Sequence, residues 1–163
     1  MKTFEITTKI KEYSSITELC AEYQSLCKES LDIAKFAYAP YSQFKVGAAV
    51  LLDYGKIITG NNQENIAYPS GLCAERVALF YANAQFPKNA IVAIAITAIH
   101  NNEQIDEPIT PCGSCRQVIA EIQNKFNKEI VLILWAKKRV FVIDNAADLL
   151  PFGFNFLKLP NHH

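Results

Sequence analysis

The chain has 163 residues, 50% apolar, 11% aromatic and 20% charged, with 16 Lys and Arg balanced by 16 Asp and Glu. The apolar content excludes intrinsic disorder, and only 6 Gly and 7 Pro exclude collagen-like or linker character. Zero net charge argues against a polynucleotide binder that works by neutralising phosphates and points to small or uncharged partners. A chain of this length buries about 70% of its unfolded surface, enough for a single domain over 1–163, with a core at about 16–156 and an N-terminal extension at 1–15.

The first residues, Met1-Lys2-Thr3-Phe4-Glu5-Ile6, lack the apolar stretch of a signal peptide. The longest apolar runs, 90–96 and 130–136, fall far short of the ~18 residues of a membrane span. Five cysteines form an odd set, which suits a reducing compartment better than a disulfide framework. A cytoplasmic protein without a membrane partner is expected. His162 and His163 end the chain, leaving His100 as the internal histidine.

In chain order, apolar residues at helical spacing over 16–38 predict a helix with Thr17 as its N-cap and Pro40 beyond its end. Cys20 and Cys27, seven apart, fall on one face of that helix and are read as buried. Residues 44–52 and 56–59 predict two strands joined by a hairpin turn at Asp53-Tyr54-Gly55, where Gly takes positive φ. A polar loop at 60–72 precedes a helix at 73–84, and the near-continuous apolar run at 91–99 predicts a strand buried on both faces. A polar loop at 100–110 leads to a helix from Pro111 to about 126, a strand at 130–135, a solvated turn at Lys137-Lys138, a strand at 139–143 and a short helix at 146–150. The tail places Phe152, Phe154 and Phe156 at alternate positions. This order of helices and strands is that of a three-layer α/β protein.

Two motifs sit where a loop becomes a helix: Cys73-Ala74-Glu75-Arg76 and Pro111-Cys112-Gly113-Ser114-Cys115-Arg116-Gln117. Cysteines at i and i+3 on a first turn point the same way, so Cys112 and Cys115 can share one metal ion, with Cys73 as a third sulfur. Three ligands with an open fourth position is the count of a catalytic zinc site. Helix N-termini, Arg76 and Arg116 would offset the negative charge of three thiolates. Glu75, two residues past Cys73, can project beside the metal without ligating it and act as a proton shuttle. Cys-x-Glu followed by Pro-Cys-x-x-Cys, with 38 residues between Cys73 and Cys112, is the signature of zinc deaminases.

From about Ala37 to Phe154 the chain resembles the small homotetrameric cytidine deaminases. The resemblance is carried by 38–49 (YAPYSQFKVGAA), 60–68 (GNNQENIAY), both cysteine motifs and 149–154 (LLPFGF). It implies a three-layer α/β/α fold with a central mixed five-stranded sheet, and one zinc per chain on Cys73, Cys112 and Cys115. It implies Glu75 as the proton shuttle, Asn62 and Glu64 on the sugar hydroxyls, and Phe44 against the base. Backbone groups around Ala74 and Cys112 would read the base edge, and Phe154 would reach into a neighbouring subunit. The implied reaction is hydrolytic deamination of cytidine and deoxycytidine at carbon 4, releasing ammonia, in pyrimidine salvage. The absence of a cation in the sugar loop suits an unphosphorylated nucleoside.

Two other readings stay open. One is deamination of another amino-nucleoside such as blasticidin S; the related deaminases share the zinc motifs but usually lack the Arg after Cys-Ala-Glu, so Arg76 and Phe44 favour cytidine. The other is a non-catalytic, zinc-stabilised RNA-binding protein, against which the balanced charge and Glu75 both argue.

Overall fold

The longest apolar run becomes the centre of the structure, a computed structural model that describes residues 1–155. Strand β4 (Ile91–His100) is buried on both faces along most of its length. It pairs antiparallel with β2 (Phe44–Leu52) and parallel with β6 (Val131–Trp135). Beyond β2 lies β3 (Ile57–Asn61), across a hairpin whose Gly55 has φ of 90°. Beyond β6 lie β7 (Val140–Ile143) and then β1 (Lys11–Tyr13).

Because alternate residues of a strand face opposite ways, the sheet presents two apolar faces. Leu26 and Cys27 of helix α1 (Ala21–Ala34) pack with Ala49, Leu51, Ala93, Ala95 and Ile133 on one face. On the other, Ala48, Val50, Ile94 and Leu132 meet helix α2 (Ala74–Gln85) through Ala78 and Leu79, and helix α3 (Gly113–Phe126) through Ile119 and Ile122. Three layers result, as expected.

Among the described residues the sheet has seven strands, not five. One addition is β1, which brings the N-terminal extension onto the free edge of β7. The other is β5 (Glu103–Gln104), which folds back on β4 through Asn101 and Asn102, at φ of 52° and 63°. Elements of three and two residues are too short to show a hydrophobic period. The extension is tied down by a Lys11–Asp144 ion pair at 2.7 Å and by Arg139, which bridges Glu12 at 3.2 Å and Glu107 at 2.9 Å.

Two local expectations change. Thr17 caps nothing: Ser15 caps a 3-10 turn, Ile16–Glu18, in a reciprocal pairing with Glu18, and α1 starts only after Cys20. Cys20 is therefore exposed at the helix start, whereas Cys27 is buried and its thiol is pushed up to about 12 by that burial. The second motif's helix begins at Gly113, two residues past Pro111, so that Cys112 is its N-cap. Phe156, His162 and His163 lie outside the described residues. Among the described residues, no helix is long and apolar enough to cross a membrane.

Candidate metal centre and active site

Cys73 and Cys112 occupy equivalent places, the N-caps of α2 and α3, and neither side chain caps its own helix. Both sulfurs thus stand at the positive ends of helices, where a thiolate is favoured. Cys115, one turn into α3, is fully buried. The three Sγ atoms lie within 4.8 Å of one another, with Cys73 and Cys112 at 3.8 Å and Cys112 and Cys115 at 3.5 Å. Tetrahedral zinc with Zn–S bonds of about 2.3 Å requires sulfurs about 3.8 Å apart, close to the spacing of Cys112 from each of its two partners.

The electrostatics agree. Hydrogen bonding from Cys115, then from Arg76 and Cys112, holds the Cys73 thiol down at about 5, while the same contact with Cys73, together with burial, pushes Cys115 far above its ordinary value. Sulfurs crowded this closely favour the first thiolate and penalise the next, which is the arrangement a cation resolves. Arg76 sends Nη2 to within 3.7 Å of the Cys73 sulfur, and its buried Nε finds no hydrogen-bond partner among the described residues.

Glu75 is only 5% exposed although ionisable, and desolvation raises its carboxyl above the usual range. It lines a cavity of about 650 Å³ together with Cys73, Ala74, Arg76 and Cys112. Val46, Leu72 and Ile109 form apolar parts of the wall, and Tyr41, Ser42 and Tyr68 join them. The last three were not picked out as candidates; their signal was present in the opening motif and the sugar loop, where a Tyr or Ser has no periodicity to mark it.

Asn62 and Glu64 both line this cavity. The loop that carries them is pinned on two sides: Gln63 and Leu72 exchange backbone hydrogen bonds of 2.9 Å, and the Glu64 N–H donates to the Tyr38 carbonyl at 2.9 Å. Glu64 Oε2 accepts from the backbone N–H of Tyr41 at 2.9 Å and of Ser42 at 3.3 Å, and Oε1 accepts from the Ser42 hydroxyl. These donors, the hydroxyl foremost, hold its carboxyl below the usual range. Asn62 Oδ1 accepts from the Val46 N–H at 2.7 Å, and Nδ2 donates to the Phe44 carbonyl at 3.0 Å. The amide thus stitches its loop to β2 and retains one N–H for another partner.

Phe44 does not line the cavity; its ring sits beside His100, centroids 6.0 Å apart, while Val46, two residues along the strand, occupies the wall. Phe154 is also outside its own chain's cavity, with 71% of its surface exposed. Arg116 departs from its expected place beside the sulfurs. Its guanidinium donates to the Pro111 carbonyl at 2.8 Å, the Leu149 carbonyl at 3.0 Å and the Thr110 hydroxyl at 3.3 Å, so it braces the loop ahead of Cys112.

Residues 21–132 match the profile described as the cytidine and deoxycytidylate deaminase zinc-binding region. The chain is 43% identical over 134 residues to a cytidine deaminase of Sporosarcina psychrophila, covering 82% of this chain and 92% of that protein. It is 34% identical over 139 residues to one of Mycobacterium tuberculosis, covering 85% and 94%. The crystal structure of cytidine deaminase from Burkholderia pseudomallei superposes with a TM-score of 0.69 at 38% identity, over 81% of this chain and 98% of that one. The fold, the paired cysteine motifs and these likenesses agree: the chain belongs to the cytidine and deoxycytidylate deaminase family.

Proposed function

We propose that the protein hydrolyses cytidine and deoxycytidine to uridine and deoxyuridine, releasing ammonia, in cytoplasmic pyrimidine salvage. The observation that carries this reading is the placement of the buried Glu75 carboxyl in one cavity wall with Cys73 and Cys112 of the three-sulfur cluster. Cys73, Cys112 and Cys115 would hold one zinc ion per chain, which when bound supplies a Lewis acid that activates water at neutral pH.

Glu75 takes the proton of the attacking water and passes it to ring nitrogen 3 as oxygen adds to carbon 4. It then takes the remaining hydroxyl proton and delivers it to the departing amine, so that one carboxyl serves as base and then as acid. A carboxyl raised above its ordinary range by burial is suited to both steps. Glu64 and Asn62 orient the sugar by accepting from and donating to its hydroxyls, and backbone groups at Ala74 and Cys112 read the base edge. Phe154, exposed on its own chain, completes the site of a neighbouring subunit in a homotetramer.

The test is the ultraviolet absorbance of cytidine mixed with zinc-analysed protein. Loss of the cytosine band with ammonia release, absent in a Glu75→Ala control that keeps its zinc, is the expected result. No turnover by protein holding one zinc per chain overturns the reading.

A further inference from the structure

Two consecutive residues of α3 reach from the metal helix to the C-terminal segment. Arg116 donates to the Leu149 carbonyl at 3.0 Å. Gln117 commits both ends of its amide to one residue: Nε2 donates to the Phe154 carbonyl at 2.8 Å, and Oε1 accepts from the Phe154 N–H at 3.2 Å. This is the pairing that a neighbouring strand would make, supplied instead by a side chain. Between these anchors the Gly153 N–H donates to the Leu150 carbonyl at 3.1 Å, and Phe152 holds φ at 56°. The Phe154 backbone is therefore fixed while 71% of the residue stays in solvent. A phenylalanine on a loose tail could lower its exposure by folding over its own surface. Here the clasp prevents that.

We propose that Gln117 is a positioning residue that presents Phe154 to the cavity of a second copy of this chain. The inference rests on the deaminase reading above. It commits to a second copy because the cavity offers a partly aromatic and apolar wall at Tyr41, Val46, Tyr68 and Leu72, and a chain's own Phe154 takes no part in it. Fixing the backbone beforehand removes ordering cost from binding. The clasp therefore acts on substrate affinity rather than on proton transfer, and its signature is a change in KM with kcat nearly constant.

The test uses zinc-loaded wild type, Gln117→Ala, Gln117→Glu, Phe154→Ala and the Gln117→Ala/Phe154→Ala double variant. For each, kcat and KM for cytidine are measured, together with hydrogen exchange at the Phe154 amide. Phe154→Ala should raise KM roughly tenfold and leave kcat within about twofold. Gln117→Ala should raise KM roughly fivefold, and Gln117→Glu, which keeps the acceptor for the Phe154 N–H, by less. The double variant should match Phe154→Ala alone, because the clasp has nothing left to position. Exchange at Phe154 should speed up about tenfold in Gln117→Ala.

A full additional rise in KM in the double variant, or unchanged exchange, overturns the inference. If Gln117→Ala does not fold, Gln117→Met, which removes both hydrogen-bonding ends but keeps the side-chain length, carries the same decision. Wild type without cytidine turnover overturns the deaminase reading instead, and the exchange rates then decide the clasp.

Discussion

Arg76 stands one helical turn past Cys73, with Nη2 3.7 Å from the sulfur. Three thiolates on a divalent cation carry excess negative charge, which the guanidinium would offset once a metal is bound. Arg76→Gln should weaken zinc retention roughly 10- to 100-fold in competition with a chromophoric chelator, with Arg76→Lys in between. Equal retention by Gln would place the residue's role outside the metal centre.

Zinc would tie the start of α2 to the start of α3, two helices that also share a core cluster through Ala78 and Ile119. Removing it should therefore lower the melting temperature, by roughly 10 °C for ligand at high excess over its Kd. Cys112→Ala should melt low and be indifferent to chelator. A chelated wild type that melts like the loaded one would show that the sulfurs do not stabilise the fold through a metal.

The main strands and the three α-helices of the described residues were legible because each carries a long apolar pattern: β4 as a near-continuous run, α2 and α3 as periodic stripes behind their cysteines. The three-sulfur cluster was legible for another reason, since chemistry dictates Cys-x-x-Cys on one turn regardless of context. What escaped notice has no such constraint. The three residues of β1 gain their meaning only from the edge of β7, which lies more than a hundred positions away in sequence. Arg116 looked like a neighbour of sulfurs by sequence distance, yet its side chain runs the other way, to Leu149. Gln117 closes the second motif, but its partner was not legible there, because an amide pairing with a distant backbone leaves no spacing rule behind.

Gly60 gives β3 its close approach to the helix that carries Glu75. A Cβ there would lie 2.5 Å from the Ala78 nitrogen and 2.8 Å from the Ala74 carbonyl oxygen, both backbone atoms that cannot step aside. Gly60→Ala should thus cost about 3 kcal/mol or more, the upper range for overpacking. A fall in melting temperature of roughly 6–12 °C is expected for a chain of this size. A change within about 1 kcal/mol would mean that α2 can shift without loss, and activity would then report whether Glu75 moved with it.

The Glu64 carboxyl is held below its ordinary value first by the Ser42 hydroxyl and then by the Tyr41 and Ser42 N–H groups. A group lowered on folding contributes fully above its unfolded pKa of about 4.3, and the contribution is lost as pH falls through the lower folded value. The sugar loop should accordingly stay fastened from neutral pH down to about 5. Glu64→Gln should raise KM for cytidine roughly tenfold, with a smaller change in kcat. For a nucleoside lacking the contacted hydroxyl, the substitution should cost little more. An equal loss for both substrates would make Glu64 a loop fastener alone.

If Phe154 completes a neighbour's cavity, mixing two variants gives a result that no single-variant measurement can. In a mixed assembly of Glu75→Ala and Phe154→Ala chains, some cavities combine an intact Glu75 with an intact Phe154 from the other chain type. Co-refolding the two variants, each impaired alone, should regenerate sites with the wild-type KM in proportion to such pairings. If each chain's Phe154 served only its own cavity, every mixed site would keep one defect, and the mixture would show the sum of the two variants with no wild-type component.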